Sequence, residues 1–445
     1  MPLFKLGSVR VPHRKNTATS KPVRMTPPKE VFISLSQHIG VPSTAIVKPG
    51  DEVFVGTKIA DAAGFISAPV HSSVSGKVKK IDTLLTSGGR RVQAVLIESD
   101  GKMTPDPQIT TPVVENVEDF LRVVRESGLI GLGGAGFPTA VKLEAHKKGK
   151  IDRRIRYGAA CEPYISSDTR PMLDDAPLMK EGLELLLRFV EVDEVIIGIE
   201  ANKAECVEKM KETFKDTQKL RIEVLPETYP QGAEKILIYN TTGRVVPEGK
   251  LPADVGCIVM NVTSLAFLAK YMRTGMPLVE KCITVDGSAI ANPMNVVVPV
   301  GTSIKDVIEF TGGFSEEPGK IMYGGPMMGI AVYSVDDPIL KNTNAIVALN
   351  KKEAEPKKTR PCIHCGRCVA ACPMGLNPTA FAKAMNVDDH TDRAQRLTDA
   401  KITLCIECAC CSFVCPSARP LVETNRLAKA ELREYKFEQT KLKER

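Results

Sequence analysis

Nine of the thirteen cysteines lie after residue 361, where they form two copies of one spacing. Each copy follows C-x2-C-x2-C-x3-C-P, a pattern typical of chains that hold two [4Fe–4S] clusters. Three thiolates on a tight loop bind three irons of one cluster, and the fourth cysteine binds the other cluster. The spacing therefore predicts cluster 1 on Cys362, Cys365, Cys368 and Cys415, and cluster 2 on Cys405, Cys408, Cys411 and Cys372.

Other features of this segment agree with iron–sulfur clusters. Zinc sites usually use two separated cysteine pairs rather than three cysteines plus Cys-Pro, so zinc is disfavoured. Cys410 is an extra thiol, which is either a spectator or exchanges with Cys411 as a ligand. His364 lies between ligands, and because the cysteine set is complete we expect it at the surface or against a sulfur. Reduced thiols place the protein in the cytosol.

A glycine-rich stretch at residues 131–136 contains the pattern G-x-G-x-x-G. A dinucleotide site of the Rossmann type requires a strand before this pattern and a helix after it. Here the preceding residues, Val117–Glu126, have helical periodicity, so the Rossmann interpretation fails. Two interpretations remain: a loop whose backbone N–H groups approach a phosphate beside Lys142, or a glycine-rich turn without a ligand.

The charge is unevenly distributed and excludes some functions. The net charge is +7, and the first 30 residues hold seven Lys or Arg against one Glu, together with five prolines. This segment is predicted to be an extended basic arm on an acidic partner or anionic lipid, or a solvated tail. No apolar run approaches the roughly 18 residues of a membrane span. We see no secretory signal and no nucleic-acid motif, and expect membrane contact only through partners.

The chain is predicted to be a multidomain α+β protein. Short strand-like runs between Pro and Gly resemble the flattened barrel (barrel-sandwich hybrid) of lipoyl carriers, but residues 61–66 offer no lysine for modification. Alternating helical and strand patterns follow, then strands around one helix. The predicted parts are the arm (1–30), the barrel (31–114), an α/β domain (115–280), a small β-rich module (281–345), a linker (346–360) and a two-cluster ferredoxin-like α-helical domain with a C-terminal helix (361–445).

Several motifs together resemble one family. Residues 128–139 with Lys142 resemble the flavin loop of the NADH-oxidising subunit of respiratory complex I. The double cluster motif resembles the C subunit of Rnf electron-transport complexes, as do residues 36–40, 68–71, 161–164 and 230–235. The resemblance covers nearly the whole chain in the same domain order. The β-rich module then corresponds to the β-grasp piece of that family.

The resemblance implies noncovalent FMN with an NAD(H) site beside it in the α/β domain. It assigns FMN contacts to Gly131, Gly133, Gly134, Lys142, Tyr229, Asn261 and Thr263, and NAD(H) contacts to Phe137, Glu162 and Glu234. No catalytic residue is implied beyond the cofactors, since a flavin links two-electron nicotinamide chemistry to one-electron clusters. Tyr157 and Ala160 replace an Asn and a Glu that the family usually has, which implies weaker flavin or nucleotide binding.

The resemblance implies a peripheral subunit on the cytoplasmic face of a bacterial membrane. Such a subunit would belong to a Na+- or H+-translocating ferredoxin:NAD+ oxidoreductase. Its partners would be the membrane-embedded and iron–sulfur subunits, with ferredoxin acting indirectly. Two alternatives are a soluble flavin/iron–sulfur reductase related to cobalamin reductases, and an electron-relay adaptor that lacks the nucleotide site.

Overall fold

The computed structural model describes residues 6–145, 153–157 and 161–443. The first domain is built of two small sheets with strand orders β2-β8-β7-β4 and β3-β5-β6. Alternate residues such as Val31, Ile33, Val95 and Ile97 fill the core between them, which confirms the barrel-sandwich prediction. The strands are β1 (Val23–Arg24), which joins a later sheet, β2 (Glu30–Ser34), β3 (Thr44–Ala45), β4 (Glu52–Val53), β5 (Lys58–Asp61), β6 (Val70–His71), β7 (Gly76–Leu85) and β8 (Arg91–Ser99).

The second domain packs helices on a parallel sheet of order β11-β10-β9-β12. Asn116 caps its first helix by accepting from the Asp119 N–H, and Phe120, Leu121 and Val124 enter the core. The elements are α1 (Val117–Glu126), α2 (Thr139–Glu144), β9 (Arg153–Tyr157), α3 (Thr169–Asp174), α4 (Ala176–Phe189), β10 (Glu194–Glu200), α5 (Ala204–Thr213), β11 (Leu220–Leu225), α6 (Glu234–Thr242), β12 (Cys257–Asn261) and α7 (Val262–Thr274). Of the two departures, Tyr157 is described only in its backbone, and Ala160 lies outside the described residues.

The β-rich module is a six-stranded sheet of order β1-β14-β13-β17-β15-β16 covered by one helix. Its elements are β13 (Glu280–Asp286), β14 (Met294–Pro299), α8 (Ile304–Phe310), β15 (Pro318–Tyr323), β16 (Ile330–Ala331) and β17 (Ala345–Asn350). The last strand corrects the sequence prediction, because residues 346–350 were expected in a linker. Residues 346–349 are apolar and largely buried between β13 and β15, and the strand ends at Asn350, so the polar connection begins only there.

The N-terminal segment also differs from its prediction. Residues 6–29, here called the N-terminal strap, pack on the rest of the chain instead of forming a solvated tail or reaching away to a partner. Val9 exchanges two backbone hydrogen bonds with Tyr229, at 2.9 and 2.8 Å, and β1 pairs in parallel with β14. A Cβ on Gly7 would lie 2.5 Å from the carbonyl oxygen of Cys372, so only glycine fits there. The strap therefore contacts the α/β domain, the β-rich module and the cluster domain.

The cluster domain is helical, with a core around Phe381, Leu397, Ile402 and Leu432. Its helices and the preceding connection are α9 (Lys351–Ala354), α10 (Arg367–Ala370), α11 (Pro378–Ala384), α12 (His390–Asp399), α13 (Cys410–Phe413) and α14 (Leu421–Lys443). Among the helices that the structure describes, none has both the length and the apolar character required to cross a bilayer.

Candidate functional site

A large cleft lies where all four folded parts of the chain meet. Its volume is about 1480 Å3, larger than the roughly 300–1,000 Å3 of a typical small-molecule pocket. The walls come from the barrel (Ile66), the α/β domain (Gly133, Asn261) and the β-rich module (Asn344), and the cluster domain contributes Ile406. The cleft is therefore large enough for two ligands side by side.

The glycine-rich loop forms one wall of this cleft. It runs from α1 to α2, so a helix precedes it and the Rossmann interpretation is excluded, as the sequence indicated. Gly131 closes the loop by donating to the Phe137 carbonyl at 2.8 Å and accepting from Gly136 at 3.2 Å. Gly134 has φ +109°, a conformation that side chains other than glycine rarely adopt. Gly131, Gly133 and Gly134 all line the cleft.

Three donors from the β-rich module hold carbonyls on this loop. Lys281 Nζ donates to Leu132 O at 3.1 Å, and Asn342 Nδ2 donates to Gly134 O at 2.9 Å. Lys341 Nζ donates to Gly128 O at 2.8 Å and to the barrel's Pro69 O at 2.9 Å. Both lysines are buried, and burial lowers the pKa of Lys281 and brings the pKa of Lys341 to about 7. The module thus positions the loop through long-range contacts that the sequence does not reveal.

Lys142, on the short helix α2 that follows the loop, lines the same cleft. Its Nζ is 3.1 Å from Glu234 Oε2 and donates to Val259 O at 3.2 Å. It also lies 6.0 Å from the centre of the Phe137 ring. The structure therefore brings together one residue predicted for the flavin and two predicted for the nicotinamide nucleotide.

Asp168 links two further predicted flavin residues, Asn261 and Thr263, and was missed by the sequence analysis. Its carboxylate accepts from Asn261 Nδ2 at 3.1 Å and from Thr263 Oγ1 at 3.3 Å. Asn261 also caps α7 by accepting from the Thr263 N–H at 2.7 Å. Asn261 and Asp168 line the cleft, whereas Thr263 is not among the described lining residues. The sequence feature that could have indicated Asp168 is the polar run at residues 166–168, which follows the family-like segment at residues 161–164.

Two buried polar atoms in the cleft wall fit a polar ligand. Ser264 Oγ and Asn344 Oδ1 have no hydrogen-bond partner among the described residues, although both are shielded from solvent. Buried polar groups are ordinarily hydrogen-bonded, because leaving one unsatisfied costs about 1–3 kcal/mol. Together with the glycine-lined wall and Lys142, these orphaned atoms satisfy what an FMN isoalloxazine and phosphate would require.

Glu162 and Tyr229 lie at the end of the cleft that faces the cluster domain. The Glu162 carboxylate accepts from the backbone N–H groups of Met327 and Met328 at 3.1 and 2.7 Å, and from Tyr229 Oη at 3.3 Å. Burial raises the pKa of Glu162, and these donors oppose the shift. Lys15 of the strap donates to the Glu162 carbonyl at 2.7 Å. Glu162 thus joins the strap, the cleft and the β-rich module.

The four cysteines predicted for cluster 2 line one small cavity. Cys372 comes from the first motif, and Cys405, Cys408 and Cys411 come from the second; the extra thiol Cys410 lines the same cavity. A crossed assignment requires Cys372 to lie beside the second motif, as it does here, and the ligand set itself stays a prediction. Asn425 on α14 also lines this cavity. Its Nδ2 is 3.6 Å from Cys405 Sγ and 4.0 Å from Cys411 Sγ. It was missed because nothing in its sequence neighbourhood points to the cysteines.

The cysteines predicted for cluster 1 lie farther from the cleft. Cys368 and Cys415 pack around Leu421, and Cys362 is close enough to affect the pKa of Cys368. Cys365 is exposed. The exposed His364 places its backbone N–H 3.4 Å from Cys362 Sγ, which agrees with the predicted surface position. One end of the cluster pair therefore faces solvent.

Cluster 2 is the end that faces the cleft. Ile406, between Cys405 and Cys408, lines both the cleft and the cluster 2 cavity. The extra thiol, Cys410, is fully buried and donates to Tyr229 O at 3.8 Å. On the predicted assignment, cluster 2 therefore lies nearer to the cleft than cluster 1 does.

Replacing Asn425 by Leu is expected to lower the reduction potential of cluster 2. Its amide donates to two ligand sulfurs, and hydrogen bonds to sulfur favour the more negative, reduced cluster. A hydrogen bond worth about 0.5–1.5 kcal/mol corresponds to roughly 20–65 mV for one electron. An EPR-monitored redox titration measures the shift, with exposed Gln439→Leu on the same helix as the control. Equal potentials in the two variants would contradict the assigned role.

Comparisons with known proteins identify the same succession of domains along the chain. Four family models match in succession: the RnfC barrel sandwich hybrid domain at residues 4–102, the Nuo51 FMN-binding domain at 124–270, the SLBB domain at 282–331 and a 4Fe-4S dicluster domain at 362–419. The C subunit of the proton-translocating ferredoxin:NAD(+) oxidoreductase complex of Clostridium ljungdahlii is 42% identical over 380 residues, 84% of this chain and 83% of its own.

Two further relatives carry related names. The C subunit of the Na(+)-translocating ferredoxin:NAD(+) oxidoreductase complex of Acetobacterium woodii is 42% identical over 381 residues, 85% of this chain and 86% of its own. The C subunit of the ion-translocating oxidoreductase complex of Rhodobacter capsulatus is 36% identical over 388 residues, 85% of this chain and 74% of its own. The similarity thus extends over most of both chains in each pair.

Proposed function

Because the chain belongs to the C-subunit family of ion-translocating ferredoxin:NAD(+) oxidoreductase (Rnf) complexes, we propose that its cleft is where NAD(H) exchanges electrons with the complex. The chain is an electron-transfer subunit with FMN and [4Fe–4S] clusters as cofactors and NAD(H) as substrate. It works as part of a complex with other subunits. We place it peripherally on the cytoplasmic face, in contact with membrane-embedded and iron–sulfur subunits.

The proposed contacts follow the positions of the residues in the cleft. Gly131, Gly133, Gly134 and Lys142 would hold the FMN phosphate, and Tyr229, Asn261 and Thr263 would contact or support the rest of the flavin. Phe137, Glu162 and Glu234 would face the nicotinamide nucleotide. The orphaned Ser264 Oγ and Asn344 Oδ1 support a polar ligand here. The domain borders remain those proposed from the sequence, with residues 346–350 moved into the β-rich module.

The chemistry divides between the cofactor and the protein. When bound, FMN would supply the conversion between the two-electron chemistry of nicotinamide and the one-electron chemistry of the clusters. The protein orients both nucleotides on a wall of glycine backbone, and Lys142 neutralises phosphate charge. The described walls of the cleft come from four folded parts of the chain. Ile406 and Tyr229 separate the cleft from the cluster 2 cavity with buried apolar contact.

One observation carries the proposal: Ile406 belongs to both the cleft and the cluster 2 cavity. The test is a spectrum of protein purified without oxygen and reconstituted with iron, sulfide and FMN. Flavin absorbance should bleach on addition of NADH, followed by cluster absorbance. Clusters without retained flavin would instead indicate an electron-relay adaptor. Cobalamin reduction without membrane partners would indicate a soluble reductase.

Substituting Lys142 by Met is expected to weaken FMN binding. A charge-assisted hydrogen bond of about 1.5–3 kcal/mol corresponds to a roughly ten- to hundredfold rise in Kd. Glu234→Gln is the matched variant, because it removes the carboxylate that competes with phosphate for Lys142. That variant should bind FMN more tightly than the wild type. Flavin fluorescence titration gives both values, and wild-type affinity in the Lys142→Met variant would contradict the phosphate role.

A further inference from the structure

The surface around cluster 1 is the second end of the electron path. The inference below rests on the proposed function, because it takes cluster 1 as the cluster farther from the cleft. We propose that this surface, here called the cluster 1 face (residues 357–369 and 413–419), docks an acidic iron–sulfur protein that exchanges electrons with cluster 1. The cleft occupies the cluster 2 side, so a protein partner must exchange electrons from the opposite side. Cys365 is exposed at that position.

The centre of the cluster 1 face is apolar. Ile363, Val369 and Phe413 have exposed fractions of 67%, 40% and 49%. Each lies within two residues of a predicted cluster 1 ligand, and α10, which contains Val369, packs against α13, which ends at Phe413. Exposed large apolar side chains grouped at one site mark binding surfaces rather than ordinary surface. An apolar centre next to a redox group is what a partner cluster needs for close approach.

The rim of the cluster 1 face is positively charged. The two segments of the face, residues 357–369 and 413–419, contain no Asp or Glu but contain Lys357, Lys358, Arg360, Arg367 and Arg419. Backbone and side-chain hydrogen bonds join the two segments, including Arg360 N to Ser417 O at 2.9 Å and Ser417 Oγ to Pro361 O at 2.9 Å. Among the described residues, none of the five cations forms an ion pair. Their charge is therefore available to a partner.

An acidic redox protein fits this surface better than other occupants. An apolar centre with a polar rim is the usual composition of a protein interface. Opposite charges on the rim accelerate encounter between partners that must bind and separate quickly. Weak electron-transfer complexes bury little area, so three apolar side chains and a charged rim suffice. An anionic membrane would also attract the rim, and it is an outcome of the test.

The experiment uses the full chain loaded with FMN and clusters, and a reduced, acidic two-[4Fe–4S] ferredoxin as the probe. The variant Lys358→Glu/Arg360→Glu/Arg367→Glu reverses three charges on the rim. The control Lys48→Glu/Lys102→Glu/Lys215→Glu reverses three exposed charges on the barrel and after α5. Stopped-flow absorbance gives the second-order rate at which ferredoxin reduces each protein, and NADH bleaching is measured separately.

The rim variant is expected to react about tenfold or more slowly than the control at low ionic strength. The difference should disappear near 1 M salt, where charges are screened within about 3 Å. NADH bleaching should be the same in both, and its absence in the wild type would refute the proposed function instead. If charge reversal prevents cluster assembly, glutamine replacements at the same three positions take its place in the test. They are expected to slow the reaction less.

Three results would overturn the docking proposal. The first is equal rates for the rim variant, its glutamine counterpart and the control. The second is a wild-type rate that does not change with salt. The third is binding to anionic phosphatidylserine vesicles that is lost in the rim variant, while the rate with ferredoxin stays unchanged. Phe413→Ser should raise the ferredoxin concentration at which the reduction rate is half-saturated, because it removes part of the apolar centre without changing charge.

Discussion

Replacement of Cys408 by Ala is expected to remove cluster 2 and to disconnect the cleft from cluster 1. Cys408 is buried in the cavity shared by the four predicted ligands, and its loss leaves one iron without a thiolate. Iron and acid-labile sulfide should fall to about half of the wild-type content. NADH should still bleach the flavin, because the described cleft wall contains Ile406 but not Cys408. Reduction of an external iron–sulfur acceptor by NADH should fall to background.

Two other cysteine variants make this expectation specific. Cys410→Ala removes a thiol that is also buried but that donates to Tyr229 O, so it should keep both clusters. If it lost a cluster and Cys411→Ala did not, the ligand would be Cys410. Cys365→Ala should lose only cluster 1, so NADH should still reduce the remaining cluster. EPR of the NADH-reduced proteins distinguishes these cases, and full iron content in Cys408→Ala would refute Cys408 as a ligand of cluster 2.

Replacement of Lys341 by Met is expected to destabilise the protein and to change how its stability depends on pH. The variant leaves the Gly128 and Pro69 carbonyls without their buried donor, and each unsatisfied group costs about 1–3 kcal/mol. Removing a buried charge offsets part of this cost. The loop that begins at Gly128 loses a contact, so FMN binding should weaken as well.

The pH effect follows from the pKa of Lys341, which burial lowers from 10.5 to about 7. Between these values the unfolded chain holds a proton that the folded chain lacks. Stability of the wild type therefore rises with pH across this window, by at most about 1.4 kcal/mol per pH unit from this group. In Lys341→Met this contribution is absent, so the thermal midpoint should rise less between pH 7 and 9.5.

Lys320→Met is the matched control, since Lys320 is exposed in the same module. It should keep the stability, the pH dependence and the flavin affinity of the wild type. Lys15 also has a lowered pKa, about 8, and contributes to the rise with pH in every variant. The decisive quantity is thus the difference in slope between Lys341→Met and Lys320→Met. Identical slopes would show that Lys341 stays charged in the folded protein.

Features that depend on local sequence patterns were predicted, whereas features that depend on contacts between distant residues were not. Each cysteine motif is recognisable from its local spacing, and the helix before residue 131 excluded a Rossmann site. A single sequence does not record contacts between residues that are distant along the chain. The hydrogen bonds made by Asp168, by Asn425 and by the two lysines that hold the glycine-rich loop, Lys281 and Lys341, are of this kind. In the N-terminal strap, the basic residues obscured Val9 and Val11, whose apolar side chains pack near cluster 2.

The linker border failed for a related reason. Residues 346–349 are apolar, and only Asn350 and the residues after it have the polar composition of a connection. A short apolar run is compatible with a strand or with the end of a module, and periodicity does not separate these cases. Pairing with β13 and β15 decides the matter, and that pairing depends on the folded sheet.

The contacts of Gly7 and Val9 constrain the order in which the chain can fold. Val9 pairs with a residue near the middle of the sequence, and Gly7 packs against the backbone of Cys372. These first residues leave the ribosome before either partner has been synthesised. Biogenesis therefore cannot proceed strictly from the amino terminus to the carboxyl terminus, and the earliest segment reaches its native place only after translation of the last domain is under way.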